Sequence, residues 1–274
     1  MGFLIIDEDK CKKDGFCANE CPAAIIRFKD KNGYPEIIPG GEQSCLICGH
    51  CVAVCPHGAL NHTRLPLEAC PPIEKDLAVS AEQAVQFLRS RRSIRRYKDK
   101  PVEKEKVRKL IEIARYAPTG GNRQLLEWMV VTDKEKMLET SALVVEWLRD
   151  VVAGKLKTAP LPYMAAVIAA WEAGYDAVLR YAPALVIASA PKEDNNGMVD
   201  LTLALSYLEL AAPTLGLGTC WAGLLQGALL ASPSLKEKIG LTNGHPHHYP
   251  MMLGYPKFKY HRLPERKSPK IVWN

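Results

Sequence analysis

The chain has 274 residues, of which 47% are hydrophobic, and its formal net charge is +6. This apolar content excludes a disordered chain, and the length suits one large domain or two ordinary ones. The mild positive charge suits an anionic cofactor and is too small for a nucleic-acid-binding arm. The longest uncharged apolar stretch, residues 158–171, is shorter than the roughly 20 residues of a membrane span. We therefore expect a cytoplasmic protein that binds neither membrane nor nucleic acid.

The first feature along the chain is an array of cysteines. Seven of the nine cysteines precede residue 56, and a reducing compartment favours metal binding over disulfides. The second group consists of Cys45, Cys48, Cys51 and Cys55, followed by Pro56. This C-x2-C-x2-C-x3-C-P run binds iron–sulfur clusters in bacterial two-cluster ferredoxins, where its fourth cysteine serves the other cluster.

The first group has the same spacing with one substitution. It consists of Cys11, Cys17 and Cys21, with Asp14 at the second ligand position. We therefore predict one 4Fe–4S cluster held by Cys21, Cys45, Cys48 and Cys51. The second cluster is assigned to Cys11, Cys17 and Cys55, with Asp14 facing its fourth iron. A carboxylate binds iron more weakly than a thiolate, so this cluster is either Asp-ligated 4Fe–4S or 3Fe–4S.

Two alternatives accompany this prediction. Asp14 can be a plain turn residue, since Asp14-Gly15 is a good turn sequence. The array can also hold structural zinc, although zinc sites seldom use four cysteines at this spacing.

Between the two groups, Asn32-Gly33 separates two apolar runs and predicts a β-hairpin. Residues 1–62 thus resemble the bacterial two-cluster ferredoxins.

Residues 63–79 are predicted to be a linker because they are rich in proline and lack periodic apolar positions. Cys70 lies there, outside both ligand sets.

Ser80 and Gln83 then form a capping box that begins a helix, with Val85 and Leu88 as its inward stripe. The helix leads into the sequence Arg91-Arg92-Ser93-Ile94-Arg95-Arg96. Guanidinium groups at this density, with a serine hydroxyl among them, suit a phosphate or another anion.

A second helix is predicted over residues 103–117, with Val107, Leu110, Ile111 and Ala114 as its apolar stripe. It ends at the loop Pro118-Thr119-Gly120-Gly121-Asn122, and a strand over 128–132 follows. Residues 200–215 are apolar almost all round, which predicts a buried helix without chemistry. His245, His247 and His248 lie near two prolines and are predicted to form a loop, with metal binding as the alternative.

These motifs together resemble the FMN-dependent nitroreductase family over residues 80–274. The arginine segment, the Pro-Thr-Gly-Gly-Asn loop, residues 216–223, the strand at 251–256 and the basic tail at 262–267 occur in the family's order. The whole chain is similar to the ferredoxin–nitroreductase fusions of anaerobes. The fold class implied is α+β. It comprises an N-terminal two-cluster ferredoxin module and a three-layer α/β/α domain with a mostly antiparallel sheet.

The resemblance also implies the residues that contact FMN. The arginine segment would bind the phosphate and ring edge, the loop would reach the flavin of the partner subunit, and the backbone at 221–223 would approach N5. The residues implied are Arg91, Arg92, Ser93, Arg95, Pro118, Thr119, Gly120, Asn122, Trp221, Ala222, Gly223, Arg262, Arg266 and Lys267. Gln124 is followed by Leu125, where the family often has proline, so the path of the chain there is open. No residue is singled out as a general acid or nucleophile.

The function expected is that of an oxidoreductase and homodimer with FMN at the subunit interface. Electrons would pass between the two clusters and FMN, which reduces a small organic acceptor of the nitro, quinone or enone type. Ferredoxin or NAD(P)H would be the electron donor. The alternatives are a flavin enzyme that runs oxidatively and a non-enzymatic electron-transfer or redox-sensing subunit.

Overall fold

The computed structural model of the chain describes residues 2–30 and 32–274. It consists of two compact units. The first contains the residues up to Val79 together with Gly121–Arg123, and the second contains Ser80–Gly120 and Gln124–Asn274. The first unit has short strands and short helices, and the second has long helices packed on one sheet. The predicted α+β fold class is confirmed.

The first unit is built from two two-stranded antiparallel sheets and two single-turn helices. Its elements are β1 (Leu4–Ile6), α1 (Phe16–Asn19), β2 (Ile26–Phe28), β3 (Pro35–Ile37), α2 (His50–Ala53) and β4 (Leu60–His62). β1 pairs with β4, and β2 pairs with β3. The β2–β3 pairing confirms the hairpin predicted from Asn32-Gly33.

The two halves of this unit repeat each other in backbone conformation. Left-handed φ angles occur at Lys13 and Gly15 in the first half, and at Ile47 and Gly49 in the second. Gly15 precedes α1 and Gly49 precedes α2, so each glycine turns the chain into the helix that carries a cysteine. Glycine adopts this conformation without steric cost. Asp14 therefore lies at the position that Cys48 occupies in the other half.

Residues 63–79, predicted as a linker, group with the first unit. They contain two short 3-10 turns, Leu67–Ala69 and Lys75–Leu77. Leu67 and Cys70 pack against the apolar core of the first unit. Partial burial of these two side chains anchors the beginning of the segment, whereas Ile73, Leu77 and Val79 are exposed.

The second unit is a four-stranded antiparallel sheet between layers of helices. Its elements are α3 (Ala81–Ser90), α4 (Lys104–Ala114), β5 (Glu127–Val131), α5 (Lys134–Val152), α6 (Met164–Glu172), β6 (Ala184–Ala190), α7 (Gly197–Ala211), β7 (Gly218–Trp221), α8 (Gly223–Ala231), α9 (Pro233–Ile239) and β8 (His247–Gly254). The strand order is β5-β6-β8-β7, and every neighbouring pair is antiparallel.

Both faces of the sheet are covered, as β6 shows. All seven of its residues are buried. Leu185 and Ile187 join the core formed with α5, α6, α8 and α9. Val186 and Ala188 point to the opposite face and join the core formed with α4 and α7. Because successive side chains of a strand point to opposite faces of the sheet, β6 contributes to both cores. The predicted three-layer architecture is confirmed.

Helix α7 lies in the second of these cores, as predicted for an apolar helix. Leu201, Leu205 and Leu208 are fully buried. By length and composition alone, the segment Gly197–Leu215 is also long and apolar enough to cross a membrane. Here it packs against α4 and β8, as the core helix of a globular domain does.

Two local predictions are wrong. The capping box at Ser80 is present, but α3 buries none of its residues, and Val85 and Leu88 are 53% and 55% exposed. Their stripe faces away from the core of this subunit. His247 and His248 lie in β8 instead of a loop. Pro250 is tolerated there because β7 ends at the pair Trp221–Met251, so the ladder on that side needs no N–H at Pro250.

Candidate cofactor sites

The first candidate site is a cavity lined by four cysteines. Cys21, Cys45, Cys48 and Cys51 surround it, with apolar side chains of the unit's core behind them. Burial, followed by the neighbouring cysteines, raises the pKa of Cys51 to about 11. Such a thiol ionises readily only when a cation is present, because a bound metal ion displaces the proton. The four sulfurs predicted to hold the first cluster therefore line one cavity, and their chemistry fits that group.

The second candidate site is a cavity lined by the other predicted set. Cys11, Asp14, Cys17 and Cys55 surround it, together with His57. Burial raises the pKa of Cys17. The Asp14 carboxylate has two protein partners, because Oδ1 accepts the N–H of Phe16 at 3.2 Å and Oδ2 lies 3.3 Å from Nε2 of His57. Asp14 is thus both a turn residue and a member of the cavity wall, and the donor set fits an iron–sulfur cluster with one weak corner.

All nine cysteines have free thiols. Within residues 2–30 and 32–274, no three His, Cys, Asp or Glu side chains form the group expected for a single metal ion. Two of the three histidines at 245–248 have separate side-chain partners. His245 Nδ1 is 3.0 Å from Ser189 Oγ, and His248 Nδ1 is 3.1 Å from Gln226 Oε1.

The third candidate site begins at the arginine segment. Arg91 Nη1 lies 3.0 Å from Glu209 Oε1, and Trp221 Nε1 donates to Glu209 Oε2 at 3.0 Å. Glu209 is buried in α7 and thereby fixes the two segments predicted to contact FMN. Arg92 donates Nη1 to the carbonyl of Arg91, while its buried Nη2 has no hydrogen-bond partner in the described structure. An unpaired guanidinium N–H beside a neutralised arginine is suited to an incoming anion.

The loop after α4 is held by a second buried acid of α7. Both carboxylate oxygens of Asp200 accept the backbone N–H of Gly120, each at 3.1 Å. A Cβ at Gly120 would lie 2.1 Å from Nδ2 of Asn196, so a larger residue at this position would displace the Asn196 side chain. Thr119 Oγ1 accepts the N–H of Gln124 at 3.2 Å, and Gln124 has a left-handed φ of 52°. This hydrogen bond resolves the path of the chain that the sequence left open.

Asn122 has contacts within the first unit. Its Nδ2 donates to the carbonyls of Leu46 and Ile47, each at 3.1 Å. These two residues lie between Cys45 and Cys48 in the chain. The amide nitrogen of this candidate FMN residue is therefore engaged by the cysteine loop.

The turn after β7 contains two of the backbone N–H groups predicted to approach the flavin, those of Ala222 and Gly223. Ala222 donates its N–H to the carbonyl of Pro250 at 2.9 Å, so this candidate N–H is already used. Gly223 begins α8 and is exposed. The first N–H groups of a helix have no acceptor within the helix, which leaves Gly223 as the better donor of the pair.

The remaining candidates lie on the surface. Pro118 and Arg95 are exposed, and Ser93 is half-buried. Arg262, Arg266 and Lys267 lie in an exposed, irregular C-terminal segment. Glu265 in the same segment forms an ion pair with Arg89 of α3 at 3.0 Å. A cavity of about 620 Å³ elsewhere in the second unit is lined by none of the predicted cofactor residues.

Sequence reasoning missed Glu209 and Asp200. Both lie in the helix to which no chemistry was assigned, and both are buried, at 7% and 2% exposure. Acidic residues are seldom buried without a partner. Their presence in an otherwise apolar helix is the signal that could have identified them.

The three-layer unit and its arginine and glycine segments place this protein among the flavin-dependent oxidoreductases. The chain belongs to the nitroreductase family, whose profile matches residues 88–255. The profile of the 4Fe-4S dicluster domain matches residues 9–59. These matches confirm the two resemblances seen in the sequence.

Individual relatives agree with the family assignment. A candidate NADH dehydrogenase/NAD(P)H nitroreductase of Archaeoglobus fulgidus is 26% identical over 180 residues, which cover 64% of this chain and 87% of that protein. The FMN reductase [NAD(P)H] of Bacillus subtilis is 31% identical over 173 residues, which cover 60% of this chain and 66% of that protein. A nitroreductase with bound FMN from Desulfitobacterium hafniense has the same fold, with a TM-score of 0.53, 22% identity and coverage of 69% and 97%.

Proposed function

We propose that this protein is an FMN-dependent oxidoreductase in which two iron–sulfur clusters exchange electrons with FMN to reduce a small organic acceptor. The observation that carries the proposal is the pair of cysteine-lined cavities on a chain of the nitroreductase family. Each cavity has a full set of candidate ligands. FMN is inferred from the names of the relatives and from Arg92, whose buried Nη2 lacks a partner.

Each candidate residue has a defined task in this proposal. Cys21, Cys45, Cys48 and Cys51 hold a 4Fe–4S cluster. Cys11, Cys17 and Cys55, with Asp14, hold a 4Fe–4S or 3Fe–4S cluster. The clusters carry single electrons, and FMN supplies transfer of one or two electrons to the acceptor.

At the flavin site, the chain binds and orients. Arg92, Ser93 and Arg95 provide donors for the phosphate, with Arg262, Arg266 or Lys267 as further cations. Glu209 neutralises Arg91 and fixes Trp221, while Asp200 fixes the Thr119-Gly120 turn. We assign to the N–H of Gly223 the contact with the edge of the flavin ring, where a donor stabilises negative charge. Pro118 and Asn122 complete the candidate loop.

We also propose a homodimer in the cytoplasm, with NAD(P)H or ferredoxin as the electron donor. The apolar stripe of α3 is exposed, and hydrophobic patches of this kind are typical of subunit interfaces. Several predicted FMN contacts are exposed in the single subunit, as expected when a partner completes the site. The free cysteines suit a reducing compartment.

Anaerobic purification tests the proposal. We expect a brown protein with FMN and about seven to eight iron atoms per chain, from the ligand count. The Cys48→Ser variant should lose iron and ferredoxin-driven reduction of a nitroaromatic, quinone or enone acceptor. Cys70→Ser is the matched control, because Cys70 lines neither cavity. A colourless protein loaded with zinc, or a flavin-free protein, would refute the proposal.

A further inference from the structure

His62 is the last residue of β4 and lies at the wall of the four-cysteine cavity. Its side chain is buried, at 1% exposure, and its Nε2 lies 3.6 Å from Sγ of Cys45. The ring of Phe3 packs on it with a centroid distance of 4.6 Å. His62 is therefore a buried imidazole that contacts a candidate ligand sulfur, although it is not itself one of the candidate ligands.

The position of the ring proton follows from a second hydrogen bond. Nδ1 of His62 accepts the backbone N–H of Arg64 at 3.1 Å. A ring nitrogen that accepts a hydrogen bond carries no hydrogen, so the proton of the ring is on Nε2. The Nε2–H group therefore points to Sγ of Cys45. A thiolate that is bound to iron can only accept, which makes His62 the donor.

We propose that His62 raises the reduction potential of the cluster held by Cys21, Cys45, Cys48 and Cys51 through the Nε2–H to Sγ hydrogen bond. The inference rests on the proposed function, since it requires a cluster in this cavity. Reduction adds one electron to the cluster, and no covalent bond changes. The added negative charge is shared by the ligand sulfurs, so a donor to Cys45 stabilises the reduced form. His62 is a positioning residue that acts through Cys45.

The repeat within the first unit has no imidazole at the position equivalent to His62. Phe28 follows Cys21 by the same number of residues as His62 follows Cys55, and both end a strand. Phe28 lines the other cavity and has no hydrogen to donate. His57 lies at that cavity too, but its Nε2 contacts Asp14 and no cysteine sulfur. Sγ of Cys55 in the second set accepts the backbone N–H of Ala59 at 3.4 Å, so it is the imidazole donor that distinguishes the four-cysteine cluster from the other.

An anaerobic redox titration followed by EPR tests the inference. In His62→Leu, the equilibrium constant for reduction of the four-cysteine cluster should fall about tenfold. This corresponds to a reduction potential lower by about 59 mV for one electron. The other cluster should keep its potential. His62→Gln keeps an N–H donor and should restore most of the potential. His261→Leu is the matched control, because His261 is an exposed histidine that lines neither cysteine cavity and should shift neither cluster.

The outcomes separate the inference from the proposed function. Wild-type protein without iron and sulfide would refute the proposed function. Two clusters in the wild type, with no change of potential in His62→Leu or with an equal shift of both clusters, would refute only the inference. Should His62→Leu fail to assemble, the wild type labelled with ¹⁵N-histidine decides. Pulsed EPR should show one coupled histidine nitrogen that is absent in His62→Gln, and absence of this coupling in the wild type overturns the inference.

Discussion

At the scale of single residues, Asp14 makes the two halves of the ferredoxin repeat unequal. The backbone around it matches the backbone around Cys48, with left-handed residues on both sides in each half. A cysteine at this position would therefore point into the second cavity as Cys48 points into the first. The conformation does not depend on the carboxylate, although the hydrogen bond to Phe16 supports it.

The Asp14→Cys variant should bind the second cluster more firmly than the wild type. A thiolate is a better ligand for iron than a carboxylate, so loss of iron in air should become slower. Iron analysis over time and the EPR signal of 3Fe–4S clusters measure this loss. Asp9→Cys, at an exposed position outside the cavity, is the control. Equal rates of iron loss in all three proteins would count against Asp14 as the weak corner.

In the second unit, the single residue to be tested is Glu209. The Glu209→Gln variant removes the negative charge between Arg91 and Trp221 and leaves Arg91 without its counter-ion. Because Arg91 is partly exposed, we expect a loss of about 1–3 kcal/mol in the free energy of unfolding. Urea unfolding followed by circular dichroism measures it. Glu265→Gln breaks an exposed arginine pair and should cost less than about 1 kcal/mol. The reverse order would contradict the role given to Glu209.

At the scale of elements, α3 and β8 depart most from expectation. The amphipathic pattern of α3 is real, but its stripe is exposed in the single subunit. β8 carries two histidines and a proline, yet it is the strand between β6 and β7. In both elements the local sequence pattern correctly separates polar from apolar positions. The surfaces against which the element packs then decide where it lies in the fold.

The stripe of α3 predicts a dimer that depends on this helix. Leu88→Glu places a charge on the stripe, and we expect the dimer to dissociate and FMN to be lost. Gln86→Glu adds the same charge at an exposed polar position of the same helix and should leave the dimer intact. Sedimentation velocity and flavin absorbance measure the two effects. A dimeric Leu88→Glu protein, or a monomeric wild type, would rule out this interface.

The contact of β8 with α8 predicts a pH-dependent stability. Burial of His248, followed by the charges of Lys236 and His247, lowers its pKa to about 4. The unfolded chain takes up this proton near pH 6.5 and the folded chain only near pH 4, so stability should fall as the pH falls between these values. The loss should approach roughly 3 kcal/mol. Urea unfolding across this range should show a flatter profile for His248→Gln than for the control His261→Gln, and parallel profiles would contradict the assignment.

At the scale of the whole molecule, the two units differ in how they are stabilised. Few apolar side chains are buried in the first unit, among them Ile25, Ile26, Val52 and Leu60. The second unit has two extensive cores, one on each face of its sheet. Small domains with little core depend on cross-links or metals for stability.

Removal of iron should therefore unfold the first unit and spare the second. Structural metal binding supplies folding free energy. Burial raises the pKa of the Cys51 thiol, so this thiol stays protonated when no cation is bound. Limited proteolysis with mass spectrometry after chelation should show cleavage between residues 2 and 79, while residues 124–254 stay protected. The untreated protein is the reference. Equal protection of both units after chelation would show that the first unit needs no metal.

The sequence by itself determined the spacing of the candidate cluster ligands, the repeat with Asp14 in place of a cysteine, the hairpin, and the order of the segments predicted to contact FMN. These features depend on neighbours within a few residues, where spacing and turn chemistry restrict the backbone. Tertiary structure alone decided that Glu209 joins Arg91 to Trp221, that Asp200 holds Gly120, and that His62 reaches Cys45. Each of these contacts joins residues far apart in the chain, and only the packed core brings their polar atoms within hydrogen-bonding distance.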